Sequence, residues 1–352
     1  MKDLMLTALR REGVTKVPVD FELCDSQVET FKKKFGHNDY PAYFEQFHRP
    51  VELLINNNFD DGRKLYKRET LPEDTEFDCY GVGHSKGSEK AFHMTRMHHP
   101  LAGAGLNEIV NYPYPMVSDE AIQKLNQEVK QLHKQHLAAY AKMQMTVWEA
   151  SWYIRSMEEL MMDMMVMDEK ATVILDRITD FACAKARAYA NAGADILGLG
   201  DDIGTQNSIM IDMELWKTWL QPRLKKVIDT AKAIKPDIII FYHSCGYITP
   251  FIDELIETGV EVLNPIQTEC MDFDEIHDKF GHRVSFWGTL GTQQLLPFGT
   301  AEEVRKETLT RLQKCGKKGG IVIGPTHLVE PEVPWENLLA IIESVREFEA
   351  SL

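Results

Sequence analysis

Short apolar runs separated by amphipathic, helix-like stretches recur along this chain. Val17 to Leu23 reads as a strand, and so do Thr146 to Ser151, Asp195 to Gly200, Ile238 to Cys245, Glu261 to Gln267, Val284 to Leu290 and Gly320 to Gly324. Parallel strands covered on both faces carry such unbroken apolar runs, so the alternation predicts a parallel α/β fold. The number of units and the length of 352 residues favour a (β/α)8 TIM barrel; an open doubly wound sheet is the alternative that the pattern leaves open. The whole chain, 1–352, reads as a single barrel domain with an N-terminal extension. A hairpin excursion and loop are expected around 77–115, with Gly81-Val82-Gly83, Gly87 and Ala91-Phe92-His93-Met94. The next helix starts near Ser118, and Ser118-Asp119-Glu120 supplies its cap.

Charge narrows the function classes. The chain has 39 Lys and Arg against 54 Asp and Glu, a net charge of −15, with the acidic residues dispersed and no basic stripe. That argues against a nucleic-acid partner and for an enzyme or a component of a complex. Met1 to Arg10 lacks the apolar core of a secretory signal and no later stretch is apolar enough for a membrane span, so a cytoplasmic protein is expected. Self-association is left open. Cysteines 24, 79, 183, 245, 270 and 315 show no paired spacing, which points to reduced thiols, with Cys183 in a helix core. Met161, Met162, Met164, Met165 and Met167 have helical spacing and read as core or interface packing. His98 and His99 are adjacent, diverge on any regular element and precede Pro100, which reads as loop.

The candidate chemistry lies at strand ends. Asp237 to Tyr242 is an apolar run that ends in His243-Ser244-Cys245-Gly246. Residues i and i+2 of a strand point the same way, so His243 and Cys245 present an imidazole and a thiol to one point. Nitrogen and sulfur donors together suit Zn²⁺, and a catalytic zinc needs three protein ligands and one open position. The competing reading is a buried histidine beside a packed cysteine. A third ligand is sought at another strand end, and His327, after Gly320 to Gly324 and Pro325, is the candidate. In a barrel, active-site groups gather at the C-terminal ends of strands. Those ends bring in Glu149 with Trp152, Asp201-Asp202, Asn264 with Gln267, and Trp287 with Thr289. Asp201 or Asp202 can instead cap a turn, Glu149 can pair with a basic residue, and Asn264 can satisfy loop backbone. No Gly-rich phosphate loop competes.

In this order the motifs resemble the uroporphyrinogen decarboxylase superfamily, and within it the zinc-dependent corrinoid methyltransferases. The resemblance spans nearly the whole chain and is densest in Asp201 to Gln206, Phe241 to Gly246, Leu263 to Gln267, Leu296 to Thr300 and Gly324 to His327 through Pro334 to Asn337. It implies a (β/α)8 barrel whose methyltransferase branch holds zinc through a His-x-Cys pair and a later cysteine. Aligned on Pro334 to Asn337, this chain has His327 where that cysteine stands. His243, Cys245 and His327 would leave the zinc complex at +1 rather than neutral, a harder Lewis acid suited to an ether or phenolate oxygen.

The resemblance implies an O-demethylase component that moves a methyl group from a small, methoxylated aromatic compound to the cobalt of a corrinoid. No Asp-x-His-x-x-Gly corrinoid motif occurs in these residues, so a corrinoid protein is the expected partner. Asp202 or Glu149 is expected to supply or relay a proton; Trp152, Tyr153 and Trp287 are expected to line the aromatic pocket, and Gln267 to approach the open metal position. Three alternatives remain: a decarboxylase, a thiol methyltransferase of the coenzyme M type, and a metal-free binding member of the fold. Val17 to Leu23, acidic where the decarboxylases carry an Arg-rich motif for substrate carboxylates, argues against the first.

Overall fold

A computed structural model describes residues 1–87 and 95–352. Seven strands form one sheet in chain order: His48–Val51, Ala138–Lys142, Ile196–Gly200, Ile239–His243, Val262–Asn264, Ser285–Trp287 and Ile321–Val322. Every pair is parallel and helices fill the connections, so neighbours in sequence are neighbours in space and the sheet curls. The Val17 to Leu23 segment continues it beyond the last strand, through parallel bridges Val19 to Ile323 and Leu23 to Val329. On its other side the Gln46 amide donates to the Phe21 carbonyl at 2.9 Å, and Asp20 meets His48 of the first strand at 3.2 Å. The N-terminal segment therefore stands between the first and last strands. Tyr140, Phe241 and Trp287 fill the interior at the level of the site, while Met5, Leu6 and Leu9 of the helix Lys2–Leu9 pack into the same interior cluster.

Two strand assignments differ from the sequence reading. Thr146 to Ser151 is no strand: the strand is Ala138–Lys142, and Trp148–Arg155 is a helix. The buried Asp201 carboxylate accepts the Val147 N–H at 3.0 Å and the Glu149 N–H at 2.9 Å, satisfying the orphan donors of that helix start, and this overrides the local β preference. His48–Val51, with Pro50 in it, carries too weak a pattern to be read as a strand; it stands at an end of the hydrogen-bonded order, where proline is tolerated.

The expected hairpin is a three-stranded antiparallel sheet of Glu76–Phe77, Gly83–Ser85 and Arg96–His98; Ala91 to Met94 lie outside the described residues. His98 ends a strand rather than lying in a loop, and is buried between Ser85 and Glu69. Tyr80 and Val82 pack against Ala150 and Ile154, so the excursion rests on the helix Trp148–Arg155. Ser118 caps Asp119–Lys134 as expected, and all six cysteines are free, with Cys183 buried in a helix. Of the methionines, Met164 is core and Met161 packs against it, whereas Met162, Met165 and Met167 are exposed.

One buried cation is unfavourable for folding. Lys185 stands beside Phe181, its Nζ 5.0 Å from the ring centroid. Burial pulls its ammonium down to about 8, with Cys79 and Asp201 offsetting this only in part. An unfolded lysine titrates near about 10.4. Below the folded value the side chain is charged in both states and the burial penalty is fully present. As the pH rises through the interval the folded state sheds its proton first, so stability rises. Lys185→Met is expected to stabilise the protein by about 2 kcal/mol at neutral pH, and the gain should shrink towards pH 10. Paired thermal melts check this; an equal gain at both pH values would assign the effect to packing instead.

Candidate functional site

The C-terminal ends of the strands open on a cavity of about 370 Å3. Its lining includes Asp20, Lys142, Glu149, Asp202, His243, Cys245, Asn264, Trp287 and His327. Phe241 points into the interior, so His243, two residues on and last in its strand, faces the same way at the mouth. Gly246 then turns the chain at φ 82°, and a Cβ there would meet the Thr205 carbonyl at 2.6 Å. The Cys245 sulfur, just before this glycine-requiring turn, lies 3.5 Å from His243 Nε2.

The hydrogen bonds fix the tautomer of His243. Asn264, its register partner on the next strand, donates through Nδ2 to the Trp287 carbonyl at 2.8 Å. Its Oδ1 therefore faces His243 Nδ1, at 2.6 Å, and accepts that N–H. The lone pair of Nε2 is left towards the cavity, as in histidines that bind metals. Asp202 Oδ1 lies 3.9 Å from Nε2 and accepts the Cys245 N–H at 2.8 Å. One donor atom each from Asp202, His243 and Cys245 falls within 4.8 Å of the others. His327 lines the same cavity with its ring centroid 6.5 Å from that of His243. The tight trio thus contains Asp202, and His327 stands further out.

Carboxyl groups crowd the trio. Glu149, on the helix Trp148–Arg155 rather than a strand end, accepts the Asp202 N–H at 3.1 Å and the Tyr153 hydroxyl at 3.3 Å. Burial, then the charges of Asp202 and Asp201, push its carboxyl up to about 8. Burial likewise pushes Asp201 up to about 7 against its backbone donors. Burial and then Asp202 and Glu149 raise the Cys245 thiol. A divalent cation reverses that balance, since a coordinated thiol is deprotonated.

The remaining sequence candidates divide. Trp287 reaches the cavity floor although it is only 2 % exposed. Gln267 lies behind the trio, accepting the Gly246 N–H at 2.9 Å and lining an adjacent cavity that shares Cys245 and His327. Trp152 and Tyr153 pack on each other with centroids 4.2 Å apart and line neither cavity; Tyr153 acts through Glu149. Sequence reasoning missed Asp20 and His48. The Trp287 indole donates to Asp20 at 2.7 Å while His48 meets its other oxygen, a cluster assembled by residues far apart in the chain. The acidic character of Val17 to Leu23 was its one local signal.

Residues 118–348 match the uroporphyrinogen decarboxylase (URO-D) family. The chain is 28% identical over 185 residues to the methylated-thiol–coenzyme M methyltransferase of Methanosarcina mazei, covering 51% of this chain and 45% of that protein. It is 25% identical over 177 residues to a methylcobamide:CoM methyltransferase of Methanosarcina barkeri (50% and 48%). It is 26% identical over 189 residues to the uroporphyrinogen decarboxylase of Hydrogenovibrio crunogenus (52% and 50%). The chain spans about half the length of the curated relatives it matches. Among solved structures, a methyltransferase from Methanosarcina mazei superposes with a TM-score of 0.70 at 17% identity, over 99% of this chain and 98% of that one, a likeness of fold.

Proposed function

This chain belongs to the uroporphyrinogen decarboxylase family, and on that premise we propose that it is the methyltransferase component of a corrinoid-dependent O-demethylase. It takes a methyl group from a small methoxylated aromatic compound and passes it to a corrinoid carried by a partner protein. The fold of this reading is a (β/α)8 barrel with Val17 to Leu23 in the eighth strand position. The observation that carries the reading is the convergence of His243 Nε2, the Cys245 sulfur and an Asp202 oxygen at the cavity wall, with His243 oriented by Asn264.

These donors fit zinc: one nitrogen, one sulfur and one oxygen on one point, with a second hydrogen-bonded layer behind the imidazole. Asp202, His243 and Cys245 would hold it, with His327 across the cavity. Bound there, zinc supplies a Lewis acid for the oxygen that the methyl group leaves. Glu149 stands behind Asp202 with Tyr153 on its far oxygen, where it can hold a proton for that oxygen. Asn264 keeps the His243 lone pair aimed, and Tyr140, Phe241 and Trp287 make an apolar floor for an aromatic ring.

The names of the methanogen relatives favour a second reading, in which sulfur is the methylated atom. The donor set argues for oxygen. With Asp202 as third ligand the complex is formally neutral, as a site with two thiolates would be, but a hard oxygen replaces a soft sulfur. An aryl methyl ether is therefore expected to pass its methyl to a reduced corrinoid about tenfold faster, or more, than the matched aryl methyl thioether. The test is methyl-cobalt formation followed spectroscopically with both donors. Equal or faster transfer from the thioether would establish the sulfur reading.

A further inference from the structure

The cavity is lined by more acidic than basic side chains. Among the described residues four carboxyl groups, Asp20, Glu22, Glu149 and Asp202, line it against one lysine and no arginine. That lysine, Lys142, is already paired with Glu22 at 2.7 Å. Beside Asp20 a substrate carboxylate would meet a lysine that is already paired and a like charge across a confined space.

Asp20 is built to stay charged and aimed. Trp287 Nε1 donates to one oxygen at 2.7 Å and His48 Nε2 stands 3.2 Å from the other. Burial alone would raise its carboxyl, but His48, Trp287 and Lys142 outweigh it and hold it below the usual range. Among the described residues His48 Nδ1 is buried without a hydrogen-bond partner, and the ring meets Asp20 through Nε2. A carboxylate has about four acceptor positions, and these neighbours use two; the side chain is 29% exposed, at the cavity. The spare positions face the space that the aromatic floor and the trio also bound.

We propose that Asp20 is the specificity-determining residue of this cavity: it accepts a hydrogen bond from a hydroxyl or ammonium group at the end of the methyl donor remote from the methyl, and the cavity rejects donors that carry a carboxylate. The proposal rests on the methyl-transfer reading above for the identity of the ligand as a methyl donor. It narrows that reading to uncharged or cationic compounds with a donor group.

Binding to the full chain is measured by quenching of intrinsic tryptophan fluorescence, without turnover. The ligands are meta-methoxyphenol, meta-methoxybenzylamine, meta-methoxytoluene and meta-methoxybenzoate. The hydroxyl or the ammonium compound is expected to bind about tenfold tighter than methoxytoluene, the worth of a charge-assisted hydrogen bond, with the benzoate weakest. The tighter of the two identifies the donor group. In Asp20→Asn that advantage should fall by about tenfold for the ammonium compound, while methoxytoluene binds as before. The wild-type ranking tests the proposal even where the variant folds poorly. Benzoate binding as tightly as the phenol, methoxytoluene matching both donor compounds, or an equal loss for all ligands in Asp20→Asn overturns it. Methyl transfer to a reduced corrinoid is then assayed on the tightest ligand. The expected ranking without transfer would reject the methyl-transfer reading and leave the recognition by Asp20 standing.

Discussion

Replacing Cys245 by alanine is expected to strip the protein of zinc while leaving its fold in place. The fold should survive because Cys245 lies beyond the end of its strand and its structural bond, from the backbone N–H to Asp202, is untouched by the change. Loss of the small side chain should cost about 1 kcal/mol. The metal should not survive, because a site of three or four ligands worth on the order of 10–16 kcal/mol loses about 3 kcal/mol or more with one ligand, at least a hundredfold in affinity. Elemental analysis after dialysis reads the zinc, from about one per chain to a small fraction, and circular dichroism reads the fold. Asp202→Asn and His327→Ala assign the third ligand: the larger loss marks it. Asn264→Leu should weaken zinc by about 10- to 100-fold through His243 alone. Full zinc retention in Cys245→Ala would reject this donor set.

The His243 and Cys245 pair was legible because two local rules coincide there. Ile238 to Tyr242 is a buried apolar run that opens on three isoleucines, and a spacing of two residues at its end predicts two side chains on one side, which the structure keeps at 3.5 Å although Cys245 lies just past the strand. Asp202 was legible as a strand-end residue, but its closeness to the pair depends on the register of neighbouring strands, Gly200 opposite His243. Ala138–Lys142 was missed because Ala-Ala-Tyr-Ala has little β preference of its own; the strand exists because both flanks are paired and both faces covered. Thr146 to Ser151 misled for the converse reason: β-branched and aromatic residues were recruited to a helix by a carboxylate 52 and 54 residues beyond the two N–H groups it accepts, Asp201, whose bonds no local pattern records. The Asp20 cluster joins residues separated by 267 positions, and only the meeting of the first and last parts of the sheet creates it.

Demethylation of an aryl methyl ether is expected to require an added corrinoid, with a corrinoid protein more effective than the free cofactor. Two features support this. The chain contains no Asp-x-His-x-x-Gly motif, and the cavity of about 370 Å3 is of a size that suits a small aromatic compound. On the proposed reading a corrinoid would present its face to the open mouth from outside, and a protein that carries it would need a rim to rest on. We propose the described part of the 77–115 excursion for that role, because it is fastened to a helix of the site. His99 meets the Tyr153 carbonyl at 2.7 Å and Leu101 donates to the Ile154 carbonyl at 2.9 Å, tying the excursion to the helix that carries Glu149. Loops at this end of such folds vary without disturbing the core, which suits them to partner recognition. The assay follows loss of the ether with this protein alone, with reduced free cobalamin, and with a corrinoid protein. Turnover by the isolated chain would mean that the methyl group has another acceptor, and the corrinoid reading would fall. Equal rates with free and protein-held corrinoid would leave methyl transfer intact and remove the case for a docking rim.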